Sequence, residues 1–207
     1  MQTKHMTLRQ AQGLTKGNRS MNSIKDKFRK ETAYALQSTL GIKNPMGVPR
    51  LEKIVVNMGI KDALSDSKNV EKASLILAQI TGQKPKVTTA KKAISGFKLR
   101  IGDKIGLMVT FRGRRMYDFF EKLVKIVLPR LRDFHGVKKE NFDGYGNYTL
   151  GFTEITVFPE IDPGKVDQTV GGQGLEITIV TSAKENKKGF ELLKTMGMPF
   201  AKYGESI

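Results

Sequence analysis

Apolar and polar residues alternate in several stretches of the chain, and each alternation predicts a β-strand with one buried face. The stretch LEKIVVNMGI at 51–60 directs four apolar residues to one side: Ile54, Val56, Met58 and Ile60. The stretch IGLMVTFRG at 105–113 does the same with another four: Ile105, Leu107, Val109 and Phe111. Further strands are predicted at 85–93, Tyr148–Val157 and Leu175–Thr181.

Helical spacing of apolar residues predicts four helices between these strands. The first carries Ile24, Phe28, Ala35, Leu36 and Leu40 and ends at Gly41. The second, over Asp66–Thr81, carries Val70, Ala73, Leu77 and Ile80 and ends at Gly82. The third covers 116–131 and is bent or ended near Pro129, because proline has no backbone N–H to continue the hydrogen-bond ladder. The fourth runs over about Glu185–Met196.

The resulting order, α-β-α-β-β-α-β-β-α, predicts an α+β fold: a mostly antiparallel sheet with helices packed on one face. The other face is then free, and the two clearest strands place on it Lys53, Asn57, Thr110 and Arg112. The segment 94–106 holds three glycines among charged residues and is predicted to project as a basic loop. We expect residues 1–22 to be a flexible basic extension and residues 23–207 to form a single domain.

The positive charge is concentrated in two stretches of the sequence. The chain has a formal net charge of +16. Residues 1–30 carry eight Lys/Arg against one acid, and residues 84–115 carry ten against Asp103 alone. Such concentration indicates a polyanion as partner, and nucleic acid is the commonest one. An open sheet face with amide, hydroxyl and cationic side chains suits RNA, although an ordinary solvated face has the same composition.

Composition excludes several other classes of protein. The chain has no cysteine, which rules out disulfide scaffolds and cysteine-ligated zinc and favours a cytoplasmic setting. No apolar run is long enough to cross a membrane. The N-terminus has no apolar core of a secretory signal, although its Arg/Lys-rich, acid-poor character leaves an organelle transit peptide as a minor alternative.

No catalytic or metal-binding pattern stands out, and we expect no enzyme activity, metal or cofactor. The phosphate-binding motif GxxxxGK[ST] is absent, and His5 and His135 are isolated from one another. Four acids could in principle bind magnesium for nuclease chemistry: Glu154, Glu160, Asp162 and Asp167. Their spacing follows no recognised pattern, so solvated turn residues are the better interpretation.

Aromatic residues divide into two groups with different expected roles. The nearly neutral segment FDGYGNYTLGF at 142–152 carries Phe142, Tyr145, Tyr148 and Phe152, and turn-and-core packing is favoured there over base stacking. Phe97 instead lies in the Gly-bounded basic loop SGFKLR. It either folds back onto the core or contacts a partner, and the second is favoured.

The chain resembles the bacterial uL5 family, the universal fifth protein of the large ribosomal subunit. Four stretches and a closing MPF (198–200) carry the resemblance: VPRLEKIVVNMGI (48–60), ITGQKPKVTTAKKAISGFKLRIGDKIGLMVTFRGRRMYDFFEKLVKIVLPRLRDFHGV (80–137), FDGYGNYTLGFTEITVFPEID (142–162) and LEITIVTSAK (175–184). The sequence departs from the family in residues 1–20, which are extra, and in the longer, Gly-rich QTVGGQG before the last strand.

The resemblance implies a non-enzymatic role in translation. Family members bind 5S ribosomal RNA in the central protuberance, contact P-site transfer RNA through a projecting loop, and bridge to the head of the small subunit. By motif, the 5S contact falls on Asn57 of VNMG, Gln83 of TGQKP and Thr110 of VTFRG. The transfer-RNA contact falls on five residues of ISGFKLRIG: Ser95, Gly96, Phe97, Lys98 and Arg100.

To the 5S contact we add cations of the sheet face and of the basic stretch: Lys53, Lys84, Lys91, Lys92 and Arg112. The expected partners are 5S and 23S ribosomal RNA, P-site transfer RNA and neighbouring ribosomal proteins, with no membrane. Two other functions compete with this one. A free-standing RNA chaperone would use the same basic surface, and a magnesium-dependent nuclease would need the acids named above.

Overall fold

Five antiparallel strands and four helices make up the part of the chain that the computed structural model describes, which is residues 32–60, 67–132, 134–162, 164 and 173–201. Their order along the chain confirms the predicted α-β-α-β-β-α-β-β-α series. The predicted tail, the first part of the first helix and residues 168–172 of the Gly-rich segment lie outside the described residues.

The strands form one sheet with the order β2-β3-β1-β5-β4, in which every neighbouring pair is antiparallel. Their bounds are β1 Leu51–Gly59, β2 Lys86–Thr89, β3 Lys104–Phe111, β4 Tyr148–Phe152 and β5 Leu175–Thr181. The sheet therefore combines two distant parts of the chain, because β5 and β4 continue it on one side of β1 while β3 and β2 continue it on the other.

One face of the sheet is a continuous apolar surface built of three rows. The rows, each read across β3, β1, β5 and β4, are Phe111–Ile54–Ile179–Tyr148, Val109–Val56–Ile177–Leu150 and Leu107–Met58–Leu175–Phe152. All twelve side chains are buried. Since apolar burial is the main favourable term in folding, this face fixes which side of each strand points inward.

Four helices supply the other half of the core: α1 Ala33–Leu40, α2 Ser67–Thr81, α3 Gly113–Lys122 and α4 Asn186–Thr195. In α2, four buried residues recur at helical spacing: Val70, Ala73, Leu77 and Ile80. The helix ends at Gly82, whose φ of 62° is the left-handed conformation that favours glycine at a helix end, and whose N–H donates to the Ala78 carbonyl oxygen at 2.8 Å.

The helix that begins at Gly113 changes geometry before it stops. After α3 the chain continues as a wider π-helical turn over Leu123–Val127 and a 3-10 turn over Leu128–Arg130. Pro129 lies in that last turn, and Leu131 is extended. The predicted bend or end near Pro129 is confirmed, and its cause is the backbone N–H that proline lacks.

Three sequence predictions are wrong at strand ends. The strand predicted over 85–93 spans only Lys86–Thr89. The strand predicted over Tyr148–Val157 stops at Phe152, and Ile155–Val157 form a 3-10 turn. Phe152 pairs with Leu175, the first residue of β5, so no partner strand lies beyond it. Ile105, expected in the core, is 37% exposed, because Gly106 already pairs with the last residue of β1.

Candidate nucleic-acid interface

The second face of the sheet carries small, polar and charged side chains. We call it the open face and define it by the outward residues of the strands and by Arg112, which follows β3 in an extended conformation. The strand residues are Lys86 and Thr88; Gly106, Met108 and Thr110; Lys53, Val55, Asn57 and Gly59; Glu176, Thr178 and Val180; Thr149 and Gly151. Among the described residues, the buried helical side chains all belong to the core on the opposite side. The predicted division of the sheet into a covered and an uncovered face therefore holds for this part of the chain.

The register sets the open-face side chains in rows across the strands. One row runs Lys86–Met108–Asn57–Glu176–Gly151. The next runs Thr110–Val55–Thr178–Thr149, in which the two threonine hydroxyl oxygens of β5 and β4 lie 3.4 Å apart. Asn57 and Thr110 thus lie in adjacent rows of neighbouring strands, which is the proximity that their assignment to one RNA contact requires.

The cations of the open face differ in their pairing from several others in the described part of the chain. Within the described ranges, Lys53, Lys86 and Arg112 form no ion pair. Some cations elsewhere are paired: Lys122 Nζ lies 2.8 Å from Glu160 Oε1, and Lys188 Nζ lies 2.9 Å from Glu185 Oε1. Cations left unpaired on one surface create a positive field that attracts phosphate groups.

Gln83 and Lys84 lie at the edge of this surface and not on a strand. They connect the end of α2 to β2, where Lys86 pairs with Met108. The Thr81 hydroxyl donates to the Leu77 carbonyl oxygen at 2.6 Å and accepts from the Gln83 N–H at 3.4 Å, which holds the connection in place. The Gln83 side chain is half-buried and that of Lys84 is exposed.

Lys91 and Lys92, assigned to the 5S contact with the others, lie apart from the open-face rows. They follow Ala90 at the end of β2 and precede the projecting loop. Ala90 anchors this point, since its N–H donates to the Asp103 carbonyl oxygen at 2.8 Å and its carbonyl oxygen accepts from Gly102 at 3.0 Å. Both lysines are exposed.

The projecting loop, which we call the tip loop (94–102), is a small closed structure. Ile94 and Leu99 exchange backbone hydrogen bonds of 3.0 and 3.1 Å, and a 3-10 turn over Ser95–Phe97 lies between them. The Arg100 N–H donates to Asp103 Oδ2 at 2.7 Å and ties the second half to β3. The loop therefore presents its side chains from a defined backbone.

Left-handed backbone conformation in the tip loop occurs at Lys98, with φ 52°, and at Gly102, with φ 93°. Lys98 is one of only two non-glycine residues with positive φ in the described part of the chain. The lysine conformation closes the 3-10 turn, because its N–H donates to the Ser95 carbonyl oxygen at 3.0 Å. Left-handed φ costs free energy in a non-glycine residue and is kept here by the surrounding hydrogen bonds.

Phe97 does not fold back onto the core. Its side chain is 76% exposed, and Ile101 on the same loop is 72% exposed. The cations around them, Lys98 and Arg100, form no ion pair within the described residues. An exposed aromatic and an exposed aliphatic side chain among free cations form a surface suited to a sugar or base beside phosphates.

The aromatic segment at 142–152 packs as predicted, with one exception. Tyr148 and Phe152 are buried, and Phe142 contacts Tyr148 edge-on with ring centroids 4.7 Å apart. Tyr145 is the exception at 72% exposure. It lies in a tight turn in which Asp143 Oδ1 accepts from the Tyr145 and Asn147 N–H groups at 2.8 and 3.0 Å.

The acids considered for magnesium make other contacts. Glu160 pairs with Lys122, and Glu154 Oε2 accepts from the Thr156 hydroxyl at 3.2 Å. Asp162 Oδ1 accepts from the Gly164 N–H at 3.1 Å, and Asp167 lies outside the described residues. In the described part of the chain, no three His, Cys, Asp or Glu side chains lie close enough to hold a metal ion. No helix found there is long and apolar enough to span a bilayer.

Sequence reasoning did not place Lys86, Thr88 or Glu176 on the open face, although it set Met108 with Thr110 opposite the apolar face of their strand. Lys86 and Thr88 alternate with Val87 in a four-residue strand, which is too short for a clear period. Glu176 lies between the apolar residues Leu175 and Ile177, so the alternation that places Asn57 on the uncovered face also places Glu176 there. Its position beside Asn57 depends on the pairing of β1 with β5, which the sequence pattern does not specify.

Comparisons with known proteins agree over nearly all of the described fold. A family model described as ribosomal protein L5 matches residues 44–100, and one described as the C-terminus of the same ribosomal family matches residues 104–200. The large ribosomal subunit protein uL5 of Streptococcus agalactiae serotype Ia is 53% identical over 181 residues. That alignment covers 87% of this chain and 99% of the streptococcal protein. The two matched ranges contain every strand, and every helix from α2 onwards.

Proposed function

This chain belongs to the ribosomal protein L5 family, uL5, and on that premise we propose that its open face binds 5S ribosomal RNA. Family membership makes the chain a structural constituent of the large ribosomal subunit, in the cytoplasm, with a role in translation and no enzymatic activity. The identity of the RNA and the residues that contact it are the proposal.

The observation that supports the 5S contact most directly is the set of unpaired polar groups on one flat surface. Lys53, Lys86 and Arg112 have no carboxylate partner among the described residues, and neither Asn57 nor Thr110 has a side-chain hydrogen bond there. Cations can position the RNA backbone, while amide and hydroxyl groups can bond sugars and base edges. Gln83 and Lys84 extend the contact at the sheet edge.

For the tip loop we propose P-site transfer RNA as the partner. Ser95, Gly96 and Phe97 form its turn, and Lys98 and Arg100 flank them with positive charge. The exposed Phe97 ring supports this role, since an aromatic face can pack on a ribose or base where phosphates are close by. Lys91 and Lys92, at the base of the loop, fit either RNA.

Further partners rest on the family relationship alone: 23S ribosomal RNA and neighbouring proteins, including one of the small-subunit head. A free RNA chaperone would use the same surfaces but would not assemble into subunits. Sedimentation with large subunits at physiological salt distinguishes the two, because a chaperone would stay in the soluble fraction.

The 5S proposal is tested by removing charge from the open face. We expect the triple variant Lys53→Gln, Lys86→Gln, Arg112→Gln to lower the affinity for a 5S transcript by roughly tenfold to a hundredfold in filter binding, since three phosphate contacts are lost. The matched control is Arg130→Gln, Lys138→Gln, Lys187→Gln, which removes the same charge from exposed residues away from this face.

The control triple should change the affinity by less than about twofold, because its cations lie outside the contact. If both triples weaken binding equally, the RNA is held by overall charge and the open face is not its site.

A further inference from the structure

A single carboxylate lies in the middle of the open face, where the proposed RNA contact provides no obvious partner for it. Glu176 pairs directly with Asn57 across β1 and β5. It is exposed, and within the described residues it forms no ion pair or side-chain hydrogen bond. A carboxylate repels phosphate, so on a phosphate-binding surface its useful partner is an N–H group.

The open-face residues next to this pair are glycines, so the backbone there carries no side chains. Gly59 follows Asn57 by two residues on the same face of β1, and it pairs with Gly106 of β3. Gly174 precedes Leu175, the β5 partner of Met58, and so extends the same line of glycines. Side chains stand roughly perpendicular to a sheet. The side chains of Asn57 and Glu176 therefore stand beside a stretch of glycine backbone. We call these two side chains the wall and the glycine backbone the floor.

Among the described residues, free space lies above Gly59 and Gly151, whereas Gly106 is buried. A Cβ atom placed at Gly59 would meet no atom within 4 Å, and the same holds at Gly151, which pairs with Glu176. Gly106 forms the closed edge of the floor towards β2, since a Cβ there would lie 2.8 Å from the Met58 carbonyl oxygen and 3.0 Å from the Thr88 hydroxyl oxygen. The result is a shelf, which we define by Gly59, Gly106, Asn57, Glu176 and Thr88.

The shelf matches one nucleobase best. A flat ring can stack on the glycine backbone while its edge faces the wall. A carboxylate accepts two adjacent N–H donors, and guanine alone among the four bases offers such a pair, N1–H and N2–H, on its Watson–Crick edge. Its O6 lies next to N1–H and accepts from the Asn57 amide. Side chains directly opposite on antiparallel strands are about 5 Å apart at Cβ, which suits two contacts along one base edge.

Resting on the proposed 5S function, we propose that this shelf binds an unpaired guanine of the RNA, with Glu176 accepting from N1–H and N2–H and Asn57 donating to O6. The glycines are the floor of the site and Met108, the other row neighbour of Asn57, borders it. Glu176 is then a specificity-determining residue, because the other bases present no pair of donors to it.

The variant Glu176→Gln separates this proposal from simple electrostatics by the sign of its effect. Removing a negative charge from a phosphate-binding face should tighten RNA binding if charge alone matters. The shelf predicts weaker binding, by about tenfold, because glutamine cannot accept both guanine donors. Glu140→Gln is the matched control, as Glu140 is exposed and carries no ion pair within the described ranges.

A second variant fills the shelf without touching its polar wall. Gly59→Val should fold normally, because φ of Gly59 is not positive, its Cβ position is empty, and valine is favoured in strands. We expect 5S affinity to fall by about tenfold or more while the melting temperature stays unchanged or rises, since the base loses its floor. If this variant fails to fold, Glu176→Gln still decides the question.

Kethoxal footprinting identifies the base, because this reagent modifies N1 and N2 of unpaired guanine. The wild-type protein should protect one guanine of the 5S transcript, and both Glu176→Gln and Gly59→Val should expose it again.

Tighter binding by Glu176→Gln, or protection that survives both variants, overturns the shelf while leaving the 5S contact intact. An effect of Glu176→Gln that disappears without magnesium means that the carboxylate holds a metal ion and also overturns it. Failure of wild-type protein to bind the transcript overturns the 5S function itself.

Discussion

Tyr145 and Tyr148 are three residues apart and have opposite environments. Tyr148 is fully buried on the core face of β4, and its hydroxyl donates to the Lys138 carbonyl oxygen at 2.6 Å. Burial raises the pKa of Tyr148, so the hydroxyl stays protonated and keeps this donor. Tyr145 is largely exposed at the tip of its turn. A buried hydrogen bond to a loop carbonyl fixes the segment around Lys138 against the sheet.

We predict that Tyr148→Phe lowers the free energy of unfolding by about 1–2 kcal/mol, because the Lys138 carbonyl oxygen loses its donor in a partly buried site. Tyr145→Phe should change it by less than about 0.5 kcal/mol, as expected for an exposed position. Urea unfolding followed by circular dichroism measures both. Equal losses in the two variants would mean that the Tyr148 hydroxyl contributes nothing specific.

Strand β3 and the tip loop that precedes it connect the two proposed RNA contacts. The strand places Met108 and Thr110 on the open face, while the loop begins where the hydrogen bonds of Ala90 with Gly102 and Asp103 close it off from the sheet. Because the loop is closed at its base by backbone groups, its outer residues can change without changing strand register.

We predict that replacing Phe97–Arg100 by Gly-Ser repeats leaves 5S affinity within about twofold and lowers occupancy of P-site transfer RNA on reconstituted ribosomes. The replacement removes the exposed ring and two unpaired cations but none of the open-face residues. Filter binding measures the first effect and transfer-RNA binding to 70S ribosomes the second.

The control for this loop variant is the open-face triple, Lys53→Gln, Lys86→Gln, Arg112→Gln. It should weaken 5S binding but leave P-site transfer-RNA occupancy unchanged, because the tip loop still carries Phe97. Loss of 5S binding in the loop variant, with P-site binding unchanged, would show that the tip loop belongs to the other RNA.

In the described part of the molecule, the ion pairs lie on or beside the helices and none lies on the open face. Some helical cations are paired with acids close by, as in Arg114 with Asp118 at 3.7 Å and Lys122 with Glu160 at 2.8 Å, whereas Arg115 and Lys187 form no ion pair within the described residues. The cations of the open face, of the tip loop and of the segments that flank them are unpaired in the described part of the chain: Lys53, Lys84, Lys86, Lys91, Lys92, Lys98, Arg100, Lys104 and Arg112. These unpaired cations add positive charge to the surfaces that are proposed to contact RNA.

From this separation we predict strong salt dependence of 5S binding. If about six of these cations neutralise phosphates, a plot of log affinity against log salt concentration should have a slope of roughly −4 to −5, because each contact releases condensed counterions. Titrations over a severalfold range of KCl concentration, at fixed magnesium, measure it. A slope near zero would contradict the electrostatic basis of the interface.

Much of this fold could be predicted from local patterns. A period of two decides which side of β1 and β3 is apolar, and that period alone places Asn57 and Thr110 on the uncovered face. Helical spacing located α2 and α4 to within one residue of their observed ends. These patterns suffice because the side-chain directions of a strand or helix depend only on residues close in sequence.

Neighbours across the sheet could not be predicted, because they depend on pairing between segments that are distant in sequence. The pairing of Leu175 with Phe152 ends β4 early, and that of Gly59 with Gly106 leaves Ile105 exposed. Pairing also sets Glu176 beside Asn57 and aligns glycines of separate strands into one shelf. The alternation within a single strand determines which face of the sheet a residue lies on. Its neighbour across the sheet is determined by the strand register, which is set as the whole sheet buries its three apolar rows.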